Sequence, residues 1–161
     1  MTETLLPNPK DVRDLLRELL GRDVAVTVAA PINLGPGEKV CFAAYVDDRI
    51  RTAVIVVADL PLAAYAGAAI GLIPAGGAAD AVQQGTLPKS LAENFAEVLN
   101  IIVALFNRDD APHLRLYSTH GPGETPPSDI EAFGKVLGNR LDLSVEVDGY
   151  GSGNLSLVIT P

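Results

Sequence analysis

Cysteine, tryptophan and histidine are nearly missing from this chain: 161 residues hold one Cys, no Trp, two His and one Met. A disulfide framework is excluded, and so is a zinc site built on cysteines, because each needs several thiols. Cys41 alone fits a reducing compartment. Positive charge is also scarce, with twelve Lys and Arg against twenty Asp and Glu and a net charge of −8. Duplex nucleic acid or an anionic membrane is therefore disfavoured as the main partner, since both demand phosphate-neutralising cations. Long, strongly apolar runs are lacking as well. The uncharged stretch 60–79 is mostly Ala and Gly, and Pro61 and Pro74 bracket it well short of the ~20 apolar positions of a membrane span. The N-terminus carries Glu3, Pro7 and Pro9 in place of a basic region and an apolar run, so no signal peptide is expected and the protein reads as cytoplasmic.

What is present is ordinary globular material, 48% hydrophobic and 20% charged. A chain of this length buries roughly 70% of its unfolded surface, enough for one core, and residues 1–161 read as a single domain. Asn8-Pro9 opens a helix with a capping side chain followed by a residue suited to the first turn. Val12, Leu15, Leu16, Leu19 and Leu20 then share one face, and Gly21 ends it. Strands are expected over 23–30, 39–46 and 51–58, the last two as a hairpin turning at Asp47-Asp48. A small-residue helix follows over 62–73, and 74–85 reads as a Gly/Ala loop. Pro88 opens the longest helix, running to about Asn107. A strand over 114–118 and a Gly/Pro loop over 120–127 come next. Ser128 and Glu131 have the spacing of a capping box before a helix with Ile130, Phe133, Val136 and Leu137. Strands over 141–147 and 155–160 alternate apolar and polar residues around a Gly-rich turn. Six strands and about four helices, with hairpins at both ends, give an α+β fold: a mostly antiparallel sheet with long helices packed on it.

Several segments invite a chemical reading and do not support one. Gly35-Pro-Gly-Glu-Lys39 places a Lys after glycines, but without the Walker spacing or the following Ser or Thr, and reads as a turn. His113 and His120 have no partner at ligand spacing, so no metal site is expected. Ser118, Thr119 and His120 lack the nucleophile elbow of a hydrolase. Cys41 lies among apolar neighbours and reads as a small core residue. The Ala/Gly-rich region around Tyr65 offers no convergent polar groups for a small ligand.

The long helix differs. Its polar residues Ser90, Glu93, Asn94, Glu97, Asn100 and Asn107 fall in one arc, opposite Leu91, Phe95, Val98, Leu99, Ile102 and Phe106. Glu97 and Asn100 are three residues apart and project side by side, with Glu93 one turn earlier. A solvated helix face accounts for such a pattern in general. Three Asn in one helix are nonetheless unusual, because Asn is a poor helix former and solvation alone favours Lys, Glu or Gln.

Glu97-Val-Leu-Asn100, within Leu91-Ala-Glu-Asn-Phe-Ala-Glu-Val-Leu-Asn-Ile-Ile102, resembles the Glu-x-x-Asn helix of the CheC/CheX/FliY chemotaxis phosphatases. The wider pattern there is Asp or Ser, three residues, Glu, two residues, Asn; Glu93 departs at the first place. The layout of residues 8–107 resembles the family too, whereas the helix after Ser128 has no secure counterpart. A second copy of the motif, found in some members, fails in the first helix: Asp14 and Glu18 have the spacing, but Gly21 stands where Asn is required. The chain is therefore similar to the single-motif CheX form.

The resemblance implies a phosphatase acting on the phosphoaspartate of a response-regulator receiver domain, with Glu97 and Asn100 as catalytic residues. Asn100 would orient the attacking water, and Glu97 would pair with the regulator's active-site lysine. Glu93, Asn94 and Ala104 would contact the partner. No cofactor of its own is implied, because the regulator brings the Mg²⁺. A homodimer built through the sheets is a further implication. The rival reading, suggested by the related switch proteins FliM and FliN, is a non-catalytic regulator-binding or assembly module.

Overall fold

The computed structural model describes residues 3–161. Helix α1 (Pro9–Leu20) begins at Asn8, whose side chain accepts the Asp11 N–H, and ends at Gly21 in the left-handed conformation. Strand β1 (Val24–Val28) follows. A hairpin of β2 (Val40–Val46) and β3 (Thr52–Asp59) leads directly into α2 (Leu60–Ile70), because Asp59 serves both as the last strand residue and as the helix N-cap, accepting the Leu62 N–H. After α3 (Ala75–Gln84) comes α4 (Lys89–Ile102), continued by one 3₁₀ turn over Val103–Leu105. Strand β4 (Arg115–His120), the short α5 (Ser128–Gly134), β5 (Arg140–Val147) and β6 (Gly151–Ile159) complete the chain.

The strands form one six-stranded sheet in the order β1-β5-β6-β3-β2-β4, and every neighbouring pair is antiparallel. The fold class expected from the sequence is the one observed. Alternate residues of each strand face opposite sides. Val54, Val56 and Ala58 of β3, Leu155 and Leu157 of β6, and Leu143, Val145 and Val147 of β5 point to one side, where α1, α2 and α4 close the main core. On the other side Phe42, Ala44, Ile55, Val57 and Val158 are covered by Ile130 and Phe133 of α5 and by Ile32 and Leu34. Beside that patch Arg140 pairs with Asp142 at 2.9 Å, bonds the carbonyls of Gly134 at the end of α5 and of Val136 just after it, and leaves Asp142 to accept the buried Ser156 hydroxyl.

Four local expectations are corrected. Residues 74–85 are not a loop: Ala78 and Ala81 of α3 bury against Ala64 and Ala68 of α2, and this docking overrides the low helix propensity of Gly76 and Gly77. The capping box at Ser128 does not form. Pro127 occupies the cap position without a side-chain bond, and Glu131 turns outward to Lys135 at 3.3 Å. The long helix stops being α-helical at Ile102, short of Asn107. The Gly-rich turn of the last hairpin is also tighter than expected, since β6 already begins at Gly151. Among the described residues, no helix is long and apolar enough to cross a membrane.

Candidate functional site

The site is the outer face of α4, and its neighbours on the sheet fix its position. Leu91, Phe95, Val98, Leu99 and Ile102 are buried, as the helical spacing predicts. Gly67 of α2 lets the helices touch, for a Cβ there would lie 2.6 Å from the Leu91 carbonyl oxygen. Near the other end, the buried Tyr45 hydroxyl donates to the Leu99 carbonyl at 2.6 Å. Carbonyls in a last turn lack intrahelical partners, so this bond both satisfies one and pins α4 to β2. Burial also pushes the Tyr45 phenol far above its ordinary range, so it remains a neutral donor.

At about 100° per residue, Glu97, Glu93 and Asn100 fall within an arc of about 60°, and Ala104 follows in the 3₁₀ turn. All four are exposed. Glu93 has an exposed ion pair with Lys89 at 3.8 Å. Glu97 and Asn100 make no side-chain hydrogen bond or ion pair among the described residues, so both are free toward solvent.

The other two Asn are structural. The Asn94 amide donates to the Gly67 carbonyl at 3.0 Å and is half-buried between α4 and α2. Asn94 was expected to contact a partner; its Nδ2 is committed inside the molecule, because α2 packs close enough to receive it. Asn107 accepts the Leu114 N–H at 2.7 Å and donates to the Leu114 carbonyl at 2.9 Å, clipping the end of the 3₁₀ turn to the start of β4. It does not extend the open face. Asn100 is left as the one Asn of the three without an internal bond among the described residues.

Lys39 donates to the Gly85 carbonyl at 2.7 Å, so the Gly35–Lys39 turn is not a free phosphate cradle. It does border an open cleft of about 500 Å³ against Gly123–Pro126 and α5, where Glu131 and Lys135 satisfy each other. In α1, Lys10 and then Arg13 hydrogen-bond Asp14 and hold its carboxyl below the usual range, so the incomplete motif copy carries no free acid at that place. Cys41 is buried, and desolvation, with the Asp59 and Glu124 charges adding to it, pushes its thiol up to about 12. Among the described residues no group of three His, Cys, Asp or Glu could hold a metal ion. Missed at the sequence level was the wall beside the site. His120 ends β4 instead of starting a loop, and its Nε2 is buried without a partner, which no spacing rule reveals.

No protein-family model matches the sequence, and no curated protein matches it significantly. Solved structures do. The FliM middle domain of Vibrio alginolyticus is similar with a TM-score of 0.59 at 8% identity, over 94% of this chain and 88% of that one. The chemotaxis protein CheX from Vibrio vulnificus is similar with a TM-score of 0.54 at 10% identity, over 94% and 97% of the two chains. The chain has the fold shared by CheX and the FliM middle domain. A CheX–CheY complex with BeF3 and Mg from Borrelia burgdorferi is similar with a TM-score of 0.50 at 9% identity, over 92% of each chain. These likenesses agree, at the level of the fold, with the resemblance read from the α4 motif.

Proposed function

We propose that this chain, as one CheX-like domain, dephosphorylates the phosphoaspartate of a response-regulator receiver domain, with Glu97 and Asn100 of α4 entering the regulator's site. One observation carries the reading: in a helix segment with three Asn, two are committed internally, while Asn100 stands free beside an equally free Glu97. A CheX-type protein solved with CheY, BeF3 and Mg has the same fold, which supports a receiver domain as partner.

The chemistry asks little else of the helper protein. Attack of water on phosphorus breaks the phosphorus–oxygen bond to the aspartyl carboxylate and releases inorganic phosphate. Such transfer depends on positioning and charge stabilisation, and the regulator supplies Mg²⁺ as part of the substrate. The Asn100 amide donates and accepts at once, so it can hold the water in line without acting as a base. Glu97, on the same face, pairs with a cation of the regulator and sets the docking angle. Ala104 leaves room beside them, and Glu93 lies in the same contact.

The decisive experiment is phosphate release from phosphorylated receiver domains with Mg²⁺, comparing wild type with Asn100→Ala. The expected outcome is acceleration by wild type and a loss of about 2–4 kcal/mol of barrier lowering in the variant, the scale for one well-placed polar group. Its melting temperature should not change, since Asn100 is exposed and makes no internal bond. Binding without acceleration would instead identify a docking or assembly module. Glu93 in place of Asp or Ser, and the FliM-like fold, favour that second reading.

A further inference from the structure

The four residues Gly-Pro-Gly-Glu occur twice in the chain, at 35–38 and at 121–124. Both copies fold as the same turn. The Glu38 N–H donates to the Gly35 carbonyl at 3.2 Å, and the Glu124 N–H to the Gly121 carbonyl at 3.1 Å. Gly37 at φ +85° and Gly123 at φ +88° take the left-handed place that follows proline in a type II turn. The two turns line one cleft, the opening of about 500 Å³ beside α5, whose apolar residues include Leu34, Val40 and Phe42. Glu38 accepts from the Asn33 amide and Glu124 from the Gly121 N–H, yet neither carboxylate has an ion pair among the described residues. Glu131 is neutralised by Lys135, and Lys39 is turned to the Gly85 carbonyl. The cleft thus combines an apolar lining with two uncompensated negative charges.

The opposite end of β2 carries the counterpart. In the β2–β3 turn Ile50 stands at φ +60°, a strained backbone for a β-branched residue, and is 56% exposed. Asp47 holds it there. Its carboxylate accepts the Arg49 and Arg51 N–H groups at 2.9 and 3.0 Å and Arg51 Nε at 3.0 Å, and its carbonyl accepts the Ile50 N–H. Asp47 is only 17% exposed, so the turn displays Arg49 and Arg51, with Arg115 adjacent on β4, against Asp48 alone. Glycine fits this backbone without strain, and an isoleucine left in solvent adds no hydrophobic stability to the free chain. The rigid tip cannot enter the cleft of its own chain, because Val40 and Val46 hold the two about 20 Å apart along β2. A chain of net charge −8 repels its own copies, so a contact between them needs a local cationic surface to meet a local anionic one. Tip and cleft are such a pair.

We propose that the β2–β3 turn of one copy docks into the cleft of another, with Ile50 on Leu34, Val40 and Phe42 and with Arg49 and Arg51 facing Glu38 and Glu124. This is a contact of turn with cleft, not of sheet with sheet. Two copies can exchange tips reciprocally or further copies can extend the array, and every contact pairs one tip with one cleft. It involves neither Glu97 nor Asn100 and stands apart from the receiver-domain reading.

The test is sedimentation velocity on the whole chain over a concentration series up to about 1 mM, the range of weak encounters between small surfaces. Wild type is expected to gain mass with concentration, and less so in high salt. Ile50→Gly should move that gain to roughly tenfold or more higher concentration, the scale for one buried aliphatic side chain. Its melting temperature should be equal or higher, because glycine relieves the positive φ, so lost association does not report a damaged fold. Glu38→Lys combined with Glu124→Lys should likewise stay monomeric where wild type associates. Mixing these two variants is the discriminating step. Each supplies the half that the other lacks, so the mixture should form a one-to-one dimer that grows no further. A wild type that stays monomeric, an Ile50→Gly variant that associates like wild type, or a mixture that stays monomeric overturns the contact.

Discussion

Asn is the residue type through which this protein divides its labour. Asn94, Asn100 and Asn107 all look alike as polar residues at helical spacing, yet two are internal fasteners and one is free. The difference has measurable consequences. Asn107→Ala removes two bonds to Leu114 and strands a backbone donor and acceptor in a half-buried place. It should cost about 1–3 kcal/mol in a urea titration without altering the Glu97–Asn100 face. Asn100→Ala should do the reverse, leaving stability intact and removing activity. The sequence places both residues on one polar arc, but which amide has a carbonyl within reach depends on α2 and β4, segments distant along the chain.

At the scale of elements, close approach of α2 and α4 positions the site, and glycine makes that approach possible. Gly67→Ala would drive a Cβ to 2.6 Å from the Leu91 carbonyl oxygen, a backbone atom that cannot swing aside. The expected cost is about 1–3 kcal/mol, read as a lower urea midpoint, with α4 displaced and receiver binding weakened. Gly76→Ala in α3 is the matched control. Its Cβ would meet nothing within 4 Å, so lost backbone freedom in the unfolded chain should raise stability by about 0.5–1 kcal/mol. The helical run of α4 was legible from its apolar spacing alone. Helix α3 was not, because two glycines mask a helix whose stability comes from Ala78 and Ala81 docking on α2. The capping box at Ser128 shows the opposite failure, a correct local pattern that the chain does not use because Pro127 takes the cap position.

For the molecule as a whole, Cys41 reports on opening. It lies in the main core beneath α4, and burial pushes its thiol up to about 12. At neutral pH a thiol-alkylating reagent should therefore label the native protein only as fast as the fold opens, and denaturant should accelerate labelling. The sign of the linkage is set by the raised value. A folded state that favours the neutral thiol gains stability that is complete below the thiol's ordinary range and declines as pH rises through that range toward about 12. A Cys41→Ala variant should lose that alkaline component of the pH dependence, as read from melting temperatures between pH 7 and mildly alkaline pH.

The amino-acid sequence by itself determined the class of fold, the six strands, the buried stripe of α4 and the pairing of Glu97 with Asn100. Each follows from periodicity, and periodicity is a property of residues near one another in the chain. Only the tertiary structure decided which polar groups stay free. Whether Asn94 finds Gly67, whether Asn107 finds Leu114, and whether the buried His120 Nε2 is left without a partner depends on segments brought together in the folded chain. A hydrogen bond is made or missed within a few tenths of an ångström, and no sequence spacing fixes a distance between elements that meet only in the folded molecule.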